Sequence, residues 1–348
     1  MNNISALDGG TFFLQNIDDV YVADRSEAEV SVSVNNETIF TETLFAEEDG
    51  CVYLRNIPEL LRPYATPGTN SVSVAFGSNT RTFTVIYSNS LISGSEGVNA
   101  SQWVNNHFLS SADEKRLAEN STERIAACGS SMSQMSYQCL FMNAAGVKRV
   151  VSGSFAQLPT LSHGNGYTVF NVSPRRMKGY GDGDTLLGYA IILGNRRIRY
   201  TIDRTLAGRT LRFSFVNAFG IEEDITIPGV ILSSRSVDRI EAVHLGVRKT
   251  INPKLNVTHK VRTGVLTDAE MTLLSELVSS AEIKVISEND TAINVVLADN
   301  PKIEPTTDLT KYGTAEFSFR YAKNDRRIGP DAVKGSRIFD DSFDETYE

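Results

Sequence analysis

The chain has 348 residues with 34 basic and 42 acidic side chains, a formal net charge of −8, and is 41 % hydrophobic and 22 % charged. That is the make-up of a folded multidomain protein and excludes wholesale disorder. No apolar run reaches the roughly 20 residues of a membrane helix, the three cysteines fit neither a disulfide framework nor a zinc spacing, and four histidines leave few parts for a metalloenzyme.

Residues 1–90 are predicted to form a small β-sandwich. Ala28-Glu29-Val30-Ser31-Val32-Ser33-Val34 alternates strictly, as do Val72/Val74/Phe76 and Phe83/Val85/Tyr87. Turn chemistry separates them at Asn35-Asn36, Glu48-Asp49-Gly50, Pro67-Gly68 and Gly77-Ser78-Asn79. A short helical turn is predicted at 58–61, opened by Pro58. Residues 1–5 lack the basic start and apolar stretch of an export signal, so the chain is expected to be made in the cytoplasm without one. The small polar stretch 91–101 reads as a linker.

Residues 102–232 read as a mixed, mainly β middle region. Within it, 110–127 predicts one or two helices, with Ser111 as cap and Glu114 three positions on. Residues 137–160 show no assignable pattern. Strands follow at Tyr167/Val169, 189–193, Ile198/Tyr200/Ile202 and Leu211/Phe213/Phe215, with Gly194-Asn195 as a hairpin turn. Glu222-Glu223-Asp224, after Phe219-Gly220, reads as a charged turn.

Residues 233–329 predict a β-sandwich with one helix. Val243/Leu245/Val247 and Leu255/Val257/Val261 are alternating strands around an Asn252-Pro253 turn. A helix over 267–280 opens with the capping box Thr267-Asp268-Ala269-Glu270, stapled by Leu266 and Met271 and buried through Leu273, Leu274, Leu277 and Val278. Strands follow at Ile283/Val285, Ile293/Val295/Leu297 and Ala315/Phe317/Phe319/Tyr321. Residues 330–348 read as a disordered acidic tail. The fold class is thus mainly β, all-β to α+β: tandem antiparallel sandwiches, the last with a flanking helix.

Charge is segregated along this order. Residues 1–60 hold Arg25 and Arg55 against twelve acids, a net of −10. Residues 175–212 hold nine basic residues against three acids, a net of +6, and the last eighteen residues have a net of −4. Overall acidity argues against a general nucleic-acid binder, whose phosphate contacts need a dominant basic surface. Arg196, Arg197, Arg199 and Arg204 form the candidate interface: either a solvated strand face or a docking surface for an acidic partner. In the tail, Phe339, Phe343 and Tyr347 recur every four residues among acids, which gives either an anchor for a partner's groove or an idle tail.

No constellation signals catalysis, so the chain is read as a non-enzyme without metal or cofactor. The glycine-rich stretches at 164–166 and 179–184 lack the Gly-Lys-Ser/Thr of a phosphate loop. Asp182 and Asp184 read as turn residues, with a calcium site as the alternative. His259 shares parity with Leu255, Val257 and Val261 and is expected in the core.

The stretches GYAIILGNRRIRYTID (188–203), RFSFVNAFGIEED (212–224) and KVRTGVLTDAEMTLLSELVSSAEIKVI (260–286) are followed by AEFSFRYAKNDRR (315–327). Together with FAEEDGCVYLRNIPELLRPY (45–64), they resemble uncharacterised tail- and baseplate-associated virion structural proteins of phages and prophages of gut bacteroidete bacteria. The resemblance implies a tail-tip, baseplate or connector subunit of the virion with a tail-tube-like fold. Its implied partners are copies of itself and other tail proteins. The segregated charges suit a ring in which different faces meet, a heterologous contact. The alternative is a glycan-binding adhesin of β-sandwich type, which needs exposed aromatics along a groove; Trp103 is the only tryptophan.

Overall fold

The computed structural model describes residues 2–92, 100–119, 121–129, 134–177, 183–204, 210–244, 247–287, 290–305 and 312–323. In the N-terminal region the strands are β1 (Asn2–Asn3), β2 (Thr11–Phe13), β3 (Val20–Ala23), β4 (Glu27–Val34), β5 (Glu37–Phe45), β6 (Cys51–Leu54), β7 (Thr69–Phe76) and β8 (Asn79–Ile86), with α1 at Ile57–Leu61. A five-stranded sheet, β2-β8-β7-β4-β5, faces a three-stranded one, β1-β3-β6. Val30, Val32, Val72 and Val74 from the first pack with Val20, Val52 and Leu54 from the second in one core, as strict alternation on β4 requires. Asn35 and Asn36 both take positive φ, 49° and 71°, the two-residue turn that matches strand twist. Gly68, at φ 96°, lies so close to the Asn165 carbonyl that a Cβ would meet it at 1.8 Å; there the first region touches the second.

The middle region holds α2 (Ala100–Asn106), β9 (Glu114–Leu117), β10 (Arg124–Cys128), β11 (Met135–Met142), β12 (Lys148–Ser154), β13 (Thr160–Gly164), β14 (Tyr167–Asn171), β15 (Thr185–Leu193) and β16 (Arg196–Ile202). Sheets β12-β11-β15-β16-β9 and β10-β14-β13 enclose one core with Phe141, Phe170, Tyr189, Ile191 and Ile198. The helix expected over 110–127 is replaced by β9 and β10. Lys115 and Leu117 are buried at period two, and β9 pairs in parallel with β16. Tertiary burial here overrides a weak helical propensity. The patternless stretch from 137 falls in the β11–β12 hairpin. Of the predicted linker, Ile92 is buried, 93–99 lie outside the described residues, and Ala100 opens α2.

The C-terminal region comprises β17 (Thr210–Val216), β18 (Glu222–His244), β19 (Val247–Thr263), β20 (Leu266–Thr267), α3 (Asp268–Ser279), β21 (Ile283–Ile286), β22 (Ala292–Leu297), β23 (Lys302–Pro305) and β24 (Tyr312–Tyr321). Pairing runs β19-β18-β17-β21-β22-β24 and returns from β24 to β19, so this sheet closes into a barrel, which has no free edges along its circumference. The mainly β class with a helix beside the last sheet is what the chain adopts. The boundary expected at 232/233, however, falls inside β18, and β17 belongs to the barrel. Asn252-Pro253 is not a turn either. It lies within β19 opposite a register shift between Asp238 and Ile240, a bulge that accommodates a proline without an N–H.

Helix α3 lays Leu273, Leu274 and Leu277 into the barrel core with Phe213, Phe317 and Phe319. Both halves of its capping box form: Thr267 Oγ1 accepts from the Glu270 amide at 3.3 Å, and Glu270 Oε2 accepts from the Thr267 amide at 2.7 Å. Thr267→Ala is expected to lower stability by about 1 kcal/mol in urea unfolding. Among the described residues no helix is long and apolar enough to cross a membrane.

Candidate functional site

Three features concentrate charge or unpaired backbone: a buried ionic junction, the basic strand β16, and the outer part of β18–β19.

The junction joins the middle region to the barrel. The expected charged turn 222–224 instead opens β18, where Glu223 and Asp224 are buried. Lys115 on β9 places Nζ 3.0 Å from Glu123 Oε1 and 2.7 Å from Glu223 Oε1. Glu223 also accepts from Ser110 Oγ and Asn217 Nδ2. Arg124 grips Asp224 through two nitrogens, at 2.8 and 2.6 Å, and reaches Glu222 at 2.6 Å. Lys284 adds a 2.8 Å contact to Glu222. Beside them Arg116 pairs with Glu270 of the capping box at 2.8 Å.

Burial works against the Lys115 charge, yet Glu123 and Glu223 outweigh it and hold its pKa above the usual lysine range. Burial pushes the Glu123 carboxyl up to about 7, with Asp224 and Glu223 adding to the shift and Lys115 opposing it. Glu222 is the reverse: burial would raise it, but Lys284 and Arg124 hold it at about 2. The carboxylates face cations in the packed boundary between two sheets, so the cluster's evident capacity is to fix how those sheets sit together.

The four predicted arginines do not form one exposed face. Arg196 is buried, donating to the carbonyls of Val104 at 2.6 Å and Cys128 at 2.7 Å. It shares parity with buried Ile198, Tyr200 and Ile202, a signal legible in the sequence. Arg199 pairs with Glu114 at 2.8 Å, and Arg204 with Glu119. Arg197 is exposed. Much of the basic surplus of 175–212 is thus answered from within the chain, Arg212 by Asp290 among the rest. Phe339, Phe343 and Tyr347 lie outside the described residues, as does Asp182, while Asp184 pairs with Arg149 at 2.6 Å. Among the described residues no cluster of His, Cys, Asp or Glu could hold a metal ion. His259 is fully buried against Phe319 and Tyr321 and bonds Ser233 Oγ at 3.0 Å. Trp103 packs between Phe13 and Phe219 in an inner cluster.

The third feature had no sequence forecast. Among the described residues, strand β18 pairs with β17 as far as Pro228, and β19 pairs with β24 over 259–262. Beyond these points, among the described residues, 234–244 and 247–258 pair only with each other, forming a two-stranded arm about 35 Å long at strand rise. Ser234, Arg235, Ser236 and Val237 are consecutively exposed, so both faces of the ribbon are open there. Val237 and Val247 are 45 % and 58 % exposed. Over the arm, 234–258, the sequence has five basic and two acidic residues, and one of each, Arg248 and Glu241, pair at 3.7 Å.

No family model and no curated protein matches the chain. Solved structures similar to it include a chain from the tail of an empty GTA particle with C6 symmetry. That chain is 13 % identical, and the match covers 32 % of this chain and 91 % of the other at a TM-score of 0.23.

Proposed function

We propose that this chain is a structural subunit of a phage virion tail, in the tail tip, baseplate or connector, and that it assembles into a ring without catalysing a reaction. The β-arm is the observation that carries the reading. An isolated two-stranded ribbon is marginal in water, and this one leaves both edges unpaired among the described residues while exposing valines. Pairing with a neighbouring subunit gives it partners for its backbone and cover for its apolar side chains. The neighbour presents a different surface to the arm, and a heterologous contact of this kind closes into a ring where the rotation between subunits closes. The resemblance of residues 188–203, 212–224 and 260–286 to tail-associated virion proteins supports a phage tail as the particle. The adhesin alternative has less support, because Trp103 is partly buried and packed against Phe13 and Phe219.

Mass photometry and negative-stain microscopy of the purified full chain test this reading. Discrete rings are expected, and replacing 234–258 with a short turn is expected to leave folded monomers. A chain that stays monomeric at micromolar concentration overturns the proposal, and binding to a glycan array then assigns it to the adhesin reading.

A further inference from the structure

The arm's landing site can be sought among the open strands at the ends of the sheets. Strand β5 ends the sheet β2-β8-β7-β4-β5 and, among the described residues, pairs only on its β4 side. Its nine residues span about 30 Å, commensurate with the arm. Glu37 and Glu42 on β5, with Glu27 and Glu29 on adjacent β4, are all exposed. None of these four has a cation within ion-pair distance among the described residues. Phe45, at the end of β5, is 68 % exposed. The surrounding segment, residues 1–60, has a net charge of −10.

The other open ends fit less well. Strand β12 ends the middle sheet but carries Lys148 and Arg149, which repel a basic ribbon. Strand β13 has five residues and no acid, and β2 has three residues. The remaining ends of the open sheets, β1, β6, β9 and β10, have two, four, four and five residues, so length and charge together select β5.

We propose that the acidic β4–β5 edge of the N-terminal sheet receives the basic β18–β19 arm of a second copy of this chain. The contact rests on the ring reading above and specifies which two faces meet. Arm backbone extends the sheet beyond β5, Arg235, Arg239 and Arg248 approach an acidic edge with Glu37 and Glu42 on one face and Glu27 and Glu29 on the other, and Phe45 covers arm valines. Backbone pairing supplies attachment, while charge supplies orientation and register.

Two charge-reversed chains test it. One carries Arg235→Glu, Arg239→Glu and Arg248→Glu; the other carries Glu27→Lys, Glu29→Lys, Glu37→Lys and Glu42→Lys. Each alone sets like charges against each other, and its self-association is expected to weaken at least tenfold in analytical ultracentrifugation. Mixed in equal amounts, the two are complementary at every contact and are expected to co-assemble. Circular dichroism and thermal melting verify folding. If a reversed chain fails to fold, the neutral Arg→Gln or Glu→Gln set replaces it and is expected to weaken association likewise. Rings that persist unchanged in each variant, or folded variants whose mixture does not co-assemble, overturn this contact and leave the ring reading standing. A monomeric wild type overturns both, and one that retains labelled duplex DNA through its arm assigns the arm to phosphate instead.

Discussion

Lys115→Met is expected to lower the unfolding free energy by about 3–5 kcal/mol at pH 8, because removing one partner of a buried ion pair leaves its charge uncompensated. The group left without its cation is Glu123, which is fully buried. Its Oε1 loses the Lys115 ammonium, and its Oε2 has no hydrogen-bond partner among the described residues. Glu223 is better provided for, since Ser110 and Asn217 still donate to it. The double variant Lys115→Met/Glu123→Gln removes both charges and is expected to recover more than half of the loss.

The pH dependence follows from the direction of the Glu123 shift. Its pKa in the fold, about 7, lies above the ordinary glutamate value, so the folded chain holds this proton more tightly than the unfolded one. The contribution is therefore fully present below the unfolded value and is lost as pH rises through about 7. Lys115 is the main group pulling Glu123 down; without it the carboxyl stays protonated to higher pH. The defect of Lys115→Met is thus expected to be largest above pH 7 and to shrink toward pH 5. Glu222, held at about 2, has the opposite sign and loses its contribution only as pH falls below the ordinary range. Glu276 is raised by burial and shares the Glu123 sign, so variant and wild type are compared at each pH by urea unfolding. A defect that is constant from pH 5 to 8 contradicts the assignment.

Phe213→Ala is expected to cost about 3–5 kcal/mol, the range for emptying a buried aromatic site. Phe213 is fully buried on β17, with ring centroids 5.7 Å from Phe317 and 5.9 Å from Phe319. Strand β17 joins β18 to β21 in the closed barrel, so the cavity loosens both neighbours and the seat of α3. Hydrogen exchange is expected to accelerate in β17, β21 and α3 and to stay unchanged in β4 and β7. Phe45→Ala serves as the control: at 68 % exposure its effect on stability is expected within about 0.5 kcal/mol.

The sequence and the structure agree where burial repeats within a few residues. Strand β4 follows from Ala28, Val30, Val32 and Val34, and α3 follows from a capping box with its staple and leucine face. They diverge where a distant partner decides. The segment at 110–127 carries helix chemistry in Ser111 and Glu114, yet β9 forms there because β16 offers an edge and Glu223 takes up the Lys115 charge. Asn252-Pro253 carries turn chemistry, yet β19 runs through it because β18 supplies a partner on both sides of the bulge. The four arginines look alike in composition, yet one is a buried anchor and two are bound within the chain.

The sequence by itself determined the β-rich class, the helix at its capping box, and the polarity between an acidic start and a basic middle. These are properties of local period and composition, which neighbouring residues set. Only the tertiary structure decided the barrel closure, the arm and the ionic junction. Each depends on pairing between segments far apart in the chain, as with Arg124 and Asp224, which lie 100 positions from one another. The same pairing sorted the charges, matching much of the basic middle internally and leaving Glu27, Glu29, Glu37 and Glu42 exposed on β4 and β5.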